Sequence, residues 1–155
     1  MFDLYEEFRQ LISKLDDGNL DYALCGGLAM AVYDHARATV DIDLLILSET
    51  YDSVTAIAKE LGYTIRGLDM TFANGVIEIR RVSKIHSTTG QVLSLDLLLV
   101  TPDIRPIWDS RETAEWEGGR LSVVSRRGLI ALKQLRGSGR DMDDIAALRE
   151  DIQDA

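Results

Sequence analysis

In 155 residues the chain has one cysteine, two prolines and two histidines. A lone Cys25 rules out an internal disulfide, and its place in an apolar stretch reads as a core thiol rather than a nucleophile. Without a Cys/His cluster nothing suggests zinc. No apolar run approaches the ~18 residues that would span a bilayer. The N-terminal MFDLYEEFRQ is acidic and amphipathic, unlike a signal peptide, so a cytoplasmic location and no membrane partner are expected. Repeats, low-complexity tracts and linkers are likewise missing. Positive charge is scarce, with 17 Lys and Arg against 26 Asp and Glu and a formal net charge of −9. That balance argues against coating nucleic acid through the whole surface, which is driven by phosphate neutralisation. The deficit is uneven, however: residues 61–140 hold 12 basic and 8 acidic residues, enough for a locally basic surface as well as for a solvated, mixed one.

The rest is the composition of a globular protein, 46% apolar and 28% charged. Its length suits a single domain spanning 1–155 with one core. Phe2 to Leu15 repeats apolar residues at helical spacing, and Asp16-Asp17-Gly18-Asn19 ends it. A helix over Tyr51 to Leu61 closes at Gly62. Tyr63 to Arg66, Met70 to Ala73, Val76 to Ile85 and Gln91 to Val100 read as strands, with Asn74-Gly75 as a hairpin turn. Arg80, Arg81 and Lys84 leave one of these strands polar on both faces, as in a solvated edge strand, with acceptor binding as the other reading. Trp108 to Trp116 reads as a short helix or irregular segment, Arg120 to Val124 as a last strand. Two helices follow, Ser125 to about Gly137 and Met142 to Ile152. The expected fold is a mixed α/β (α+β) domain, its core about 20–124, with a mixed sheet flanked by N-terminal and C-terminal helices.

The most informative stretch is DYALCGGLAMAVYDHARATVDIDLLIL, Asp21 to Leu47. It reads as a buried strand, a Gly26-Gly27 turn, a short helix and a second strand. On that strand Arg37, Thr39, Asp41 and Asp43 alternate, so a period of two sends all four to one face. Carboxylates two residues apart stand roughly 7 Å from each other, close enough to ligate a cation and otherwise repelling. Asp96, inside the apolar run VLSLDLLLV, needs compensation too, because a buried, isolated carboxylate costs several kcal/mol. Either this strand neighbours Asp41 and Asp43 and the three converge on metal, or Asp96 is held by an Arg such as Arg37 or by a helix N-terminus. Oxygen-only ligands point to Mg²⁺ or Mn²⁺. Gly26-Gly27, where a strand hands over to a helix, suits a phosphate, although a tight turn also wants glycine. Arg37 and Thr39 could contact substrate or orient the carboxylates; a structural ion pair is the other reading of Arg37.

Gly-Gly, a helix, Arg-x-Thr-x-Asp-x-Asp and a later strand Asp together resemble the nucleotidyltransferase superfamily of the DNA polymerase β fold, and look closest to bacterial AbiEii-type and minimal nucleotidyltransferases. GLIALKQLRGSGRDMDDIAAL is similar to that branch's C-terminal motif through Lys133, Arg136, Arg140, Asp141 and Asp144. The resemblance implies that Asp41, Asp43 and Asp96 bind two Mg²⁺ ions, with Asp96 a base for the acceptor. It implies that Gly26 and Gly27 hold phosphates, that Lys133 contacts the triphosphate, and that Arg136, Arg140, Asp141 and Asp144 shape the cleft wall, unless Asp141 and Asp144 simply cap the helix and pair with Arg140. Many relatives have Ser where Gly27 stands, so phosphate contacts here would come from the backbone. The implied activity moves a nucleoside monophosphate from an NTP such as ATP to a hydroxyl of tRNA, a protein or a small molecule. A toxin with an antitoxin partner, or a homo-oligomer, is among the forms implied. A non-catalytic module that keeps the fold, binding nucleotide or a partner, is the alternative.

Overall fold

The computed structural model describes residues 2–36, 39–117 and 119–153. The first helix, α1 (Leu4–Asp17), starts where the Asp3 side chain accepts a hydrogen bond from the Glu6 amide and is closed by Gly18. Its spacing buries Phe8, Leu11, Ile12 and Leu15 along one stripe. Then come β1 (Ala23–Cys25), α2 (Gly26–Val32), β2 (Asp41–Ile46), α3 (Tyr51–Glu60), β3 (Ile65–Arg66), β4 (Met70–Phe72), β5 (Ile77–Ile85), β6 (Val92–Leu99), α4 (Arg105–Asp109), β7 (Glu112–Trp116), β8 (Gly119–Val123), α5 (Arg126–Arg136) and α6 (Gly139–Gln153).

The strands form one mixed sheet in the order β3-β5-β6-β2-β1-β8-β7, with β4 also pairing with β5. β2 runs parallel to β6 and β1 parallel to β8, while the other pairings are antiparallel. The two apolar strands β2 and β6 lie side by side at the centre, where Ile42, Leu44, Leu45, Ile46, Leu95 and Leu97 are fully buried. The strand–glycine–helix–strand unit and the flanking helices expected from the sequence are present, so the mixed α/β fold stands.

Four local readings differ from the sequence expectation. The helix α2 begins at Gly26, so both glycines lie inside its first turn rather than in a turn before it. β2 begins at Asp41, so Thr39 leads into the strand instead of lying in it, and Arg37 falls outside the described residues. β5 is not an edge strand: β6 flanks it on one side and β3 and β4 on the other. Its polar side chains are consumed by ion pairs. Lys84 lies 2.5 Å from Glu7 of α1 and donates to the Leu61 carbonyl after α3, while Arg81, on the other face, binds Asp96. Finally, residues 112–116 form strand β7, an outer strand whose alternation is too exposed to betray it in sequence.

Candidate active site

β1 and β2 are antiparallel with Cys25 opposite Asp43, and β2 and β6 are parallel with Asp43 opposite Asp96. One row across the sheet therefore carries Cys25, Asp43, Asp96 and, on β5, Arg81. Asp41 lies two residues back on the same face, opposite Ser94. The expectation that the strand bearing Asp96 neighbours the one bearing Asp41 and Asp43 thus holds in register.

The glycines explain how α2 reaches this row. Gly26 has φ +67°, and a Cβ there would collide with the Asp43 carboxylate, 2.6 Å from its Cγ. At Gly27 a Cβ would lie 2.8 Å from both Cβ and Oγ1 of Thr39. The first turn of α2 is pressed against Asp43 of the acidic strand and Thr39 of the segment leading into it, and only residues without side chains fit. Among the described residues no side chain caps this helix start, which leaves its amide groups free for whatever occupies the cleft.

The opposite wall is α5. Leu129, Leu132, Lys133 and Arg136 close a cleft with Cys25, Gly26, Asp43 and Leu98. α5 is anchored by Ser125, whose side chain accepts from the Gly128 amide at 3.0 Å, and by Gly128 itself, where a Cβ would meet Val124 at 2.7 Å. Lys133 is buried, its Nζ 3.0 Å from Asp144 and 3.9 Å from Asp141. Asp141 also accepts from the Ser138 hydroxyl at 2.6 Å and lies 3.9 Å from Arg136. Asp141 and Asp144 therefore fasten α6 to α5 and hold Lys133 at the cleft. Arg140 is exposed at the start of α6 and makes no ion pair among the described residues.

Charge on the strand floor is poorly compensated. Burial, then the nearby charges of Asp96 and Asp41, push Asp43 up to about 7, against the opposing pull of Arg136 and Lys133. Asp41 is raised too, chiefly by burial and then by Asp96. Burial also pushes the Cys25 thiol well up, which keeps it a protonated core group. Asp96 is different: both its oxygens are bound by Arg81, Nε to Oδ1 at 2.7 Å and Nη2 to Oδ2 at 2.9 Å. Among the described residues no group of three His, Cys, Asp or Glu side chains stands ready to hold a metal ion. The donor set suits a hard divalent cation nonetheless: Asp41 and Asp43 are oxygen donors whose mutual repulsion a cation would relieve, with no thiolate or imidazole beside them.

Arg81 is the site residue that sequence reasoning missed. The signal was in the hairpin: β5 and β6 pair symmetrically about Thr88 and Thr89, closed by the His86 amide donating to the Gln91 carbonyl at 2.8 Å. Counting back from that turn sets Arg81 opposite Asp96.

No protein-family model matches the sequence, and no curated protein matches it. Solved structures do. TM1012 of Thermotoga maritima, assigned as a nucleotidyltransferase, superposes with a TM-score of 0.63 at 14% identity, over 98% of this chain and 94% of that one. The antibiotic-resistance factor ANT(2'')-Ia, in its complex with adenylyl-2''-tobramycin, gives 0.56 at 16% identity, over 94% and 96%. JHP933 from Helicobacter pylori gives 0.60 at 16% identity, over 94% of this chain and 64% of that one. At such identities the likeness establishes the fold, which is that of the nucleotidyltransferases.

Proposed function

We propose that this chain, with its nucleotidyltransferase fold, is an enzyme that transfers a nucleoside monophosphate from an NTP to an acceptor hydroxyl with Mg²⁺ or Mn²⁺. The observation that carries the reading is the contact of the Gly26 backbone with Asp43, which sets an uncapped helix start against two mutually repelling carboxylates. Asp41 and Asp43 would hold the divalent ion. The chemistry it supplies when bound is to favour ionisation of the attacking hydroxyl and to offset charge on the pyrophosphate leaving group. The backbone amides at Gly26 and Gly27 and the Thr39 hydroxyl would face the phosphates. Lys133 and Arg136, on the opposite wall, would neutralise them. In the transfer the acceptor oxygen bonds to the α-phosphorus, the bond to the bridging oxygen of the pyrophosphate breaks, and the hydroxyl proton passes to a site carboxylate or to water. Arg37, which lies outside the described residues, would be a further substrate contact.

For the acceptor we favour a small-molecule hydroxyl. ANT(2'')-Ia, held with an adenylylated aminoglycoside, is matched over 96% of its length, so a chain of this size can serve such an acceptor. The AbiEii-like residues support tRNA or protein as acceptor and a toxin paired with an antitoxin. One observation favours the rival reading of a non-catalytic nucleotide- or partner-binding module: the Asp96 carboxylate is bound by Arg81.

The test is incubation with each α-labelled NTP, Mg²⁺ and an extract separated into RNA, protein and small-molecule fractions, with Asp43→Ala as control. Label in one fraction that the control loses supports transfer and names the acceptor class. No label, in a protein whose melting temperature also ignores millimolar Mg²⁺ and NTP, favours the module.

A further inference from the structure

The pairing of Arg81 with Asp96 bears on how many cations the site takes. The guanidinium binds both carboxylate oxygens, at 2.7 and 2.9 Å. Its stem is confined: the Gly67 amide donates to the Arg81 carbonyl at 2.9 Å, and a Cβ at Gly67 would sit 3.1 Å from the Arg81 Cβ and Cγ. The Asp96 side chain is 8% exposed against 38% for Arg81, so the guanidinium covers the carboxylate from the open side of the sheet. Strand pairing puts Asp43 on the other side of Asp96 in the same row. A cation shared by Asp43 and Asp96 would lie beside a fixed positive charge. Of the three carboxylates, Asp96 is paired by Arg81, while Asp41 and Asp43 make no ion pair among the described residues, which leaves a pair of carboxylates for one divalent ion.

Resting on the nucleotidyl-transfer reading above, we infer that this site takes a single divalent cation, held by Asp41 and Asp43, and that the Arg81 guanidinium occupies the electrostatic place of a second. Asp96 is then the counter-ion of Arg81 and not a metal ligand. Arg81 is a positioning residue that acts through Asp96.

The experiment is electron paramagnetic resonance of Mn²⁺ bound to the full chain with α,β-methylene ATP, a non-hydrolysable probe. Two ions about 3.5–4 Å apart give a spin-coupled spectrum, whereas one gives an isolated six-line signal. The expected result is the isolated signal, removed by Asp43→Asn. A coupled pair in the wild-type protein overturns the inference and leaves nucleotidyl transfer standing. Absence of any bound Mn²⁺ removes both. The double variant Arg81→Leu/Asp96→Leu deletes the ion pair without leaving an unpaired partner. It should keep the isolated signal with Kd within about threefold, and a loss of about tenfold or more would make Asp96 a ligand and overturn the inference. If the double variant does not fold, the wild-type spectrum and that of Arg81→Lys, which retains the charge and the single ion, still decide.

Discussion

At the junction of α5 and α6, Asp144 lies 3.0 Å from Lys133, and Asp141 is held by the Ser138 hydroxyl and by more distant Lys133 and Arg136. On β2, Asp43 is half-buried, and burial followed by the charges of two more carboxylates pushes it up to about 7. The first arrangement compensates its buried acids and fastens two helices together. The second keeps its acids in conflict, which costs stability in the isolated chain and leaves an electrostatic deficit for something else to fill. Acids of the same kind are thus compensated at one place in the fold and left in conflict at another.

The contrast can be broken at either end. The largest expected effect is on activity: Asp43→Ala should lower transfer on the order of a thousandfold, the loss of several kcal/mol of charge stabilisation, while the variant melts no lower than the parent. Labelled-product assays and calorimetry on one preparation check both halves, and full activity in the variant would remove Asp43 from the site. Next, Lys133→Ala should unfold the protein more easily, by about 3 kcal/mol, because Asp141 and Asp144 are left buried beside each other. It should raise the KM for NTP as well. Urea melts read the first effect and steady-state kinetics the second, and an unaltered urea midpoint would show that Lys133 fastens nothing.

Smaller effects sharpen the same contrast. Gly27→Ala must displace Thr39 and should cost about 1–3 kcal/mol. Combining it with Thr39→Gly, which removes both the Cβ and the Oγ1 that the new methyl would meet, should recover part of that in thermal melts. The last is a pH effect. Asp43 holds its proton to about pH 7 in the folded chain but only to ordinary carboxylate pH when unfolded. The folded state therefore loses stability as pH climbs from about 4 to 7, and the loss is complete above that. Asp43→Asn should match wild type near pH 4 and melt higher at pH 8, by a few kcal/mol at most. Melting curves that stay parallel across this range would contradict the assigned cause.

Much of this was legible because the acidic strand advertises itself. Asp41 and Asp43 alternate with Ile42 and Leu44, Gly26-Gly27 interrupts an apolar stretch, and Asp96 is a polar intruder in a run of leucines. Periodicity and the cost of buried charge suffice to read each. Arg81 was illegible for the opposite reason. Polar residues on both faces of β5 mimic an edge strand, and only the pairing register reveals that one face meets Asp96 and the other meets Glu7. β7 escaped because its exposed Glu112, Thr113 and Glu115 present no buried face to the pattern. The burial of Lys133 could not be read either, since its partners lie beyond a helix break at Gly137.

The parallel rung between Leu24 of β1 and Val123 of β8 joins positions about a hundred residues apart in the chain. Contacts of such range are slow to find, because the intervening loop must close before the pairing repays it. On a ribosome adding about 5–20 residues per second, β1 waits several seconds for that neighbour, and α5 emerges later still. The carboxylate floor and the glycine turn can therefore assemble early, whereas the wall carrying Lys133 arrives last. Until α5 has been made, no part of the chain can close the wall opposite Asp43.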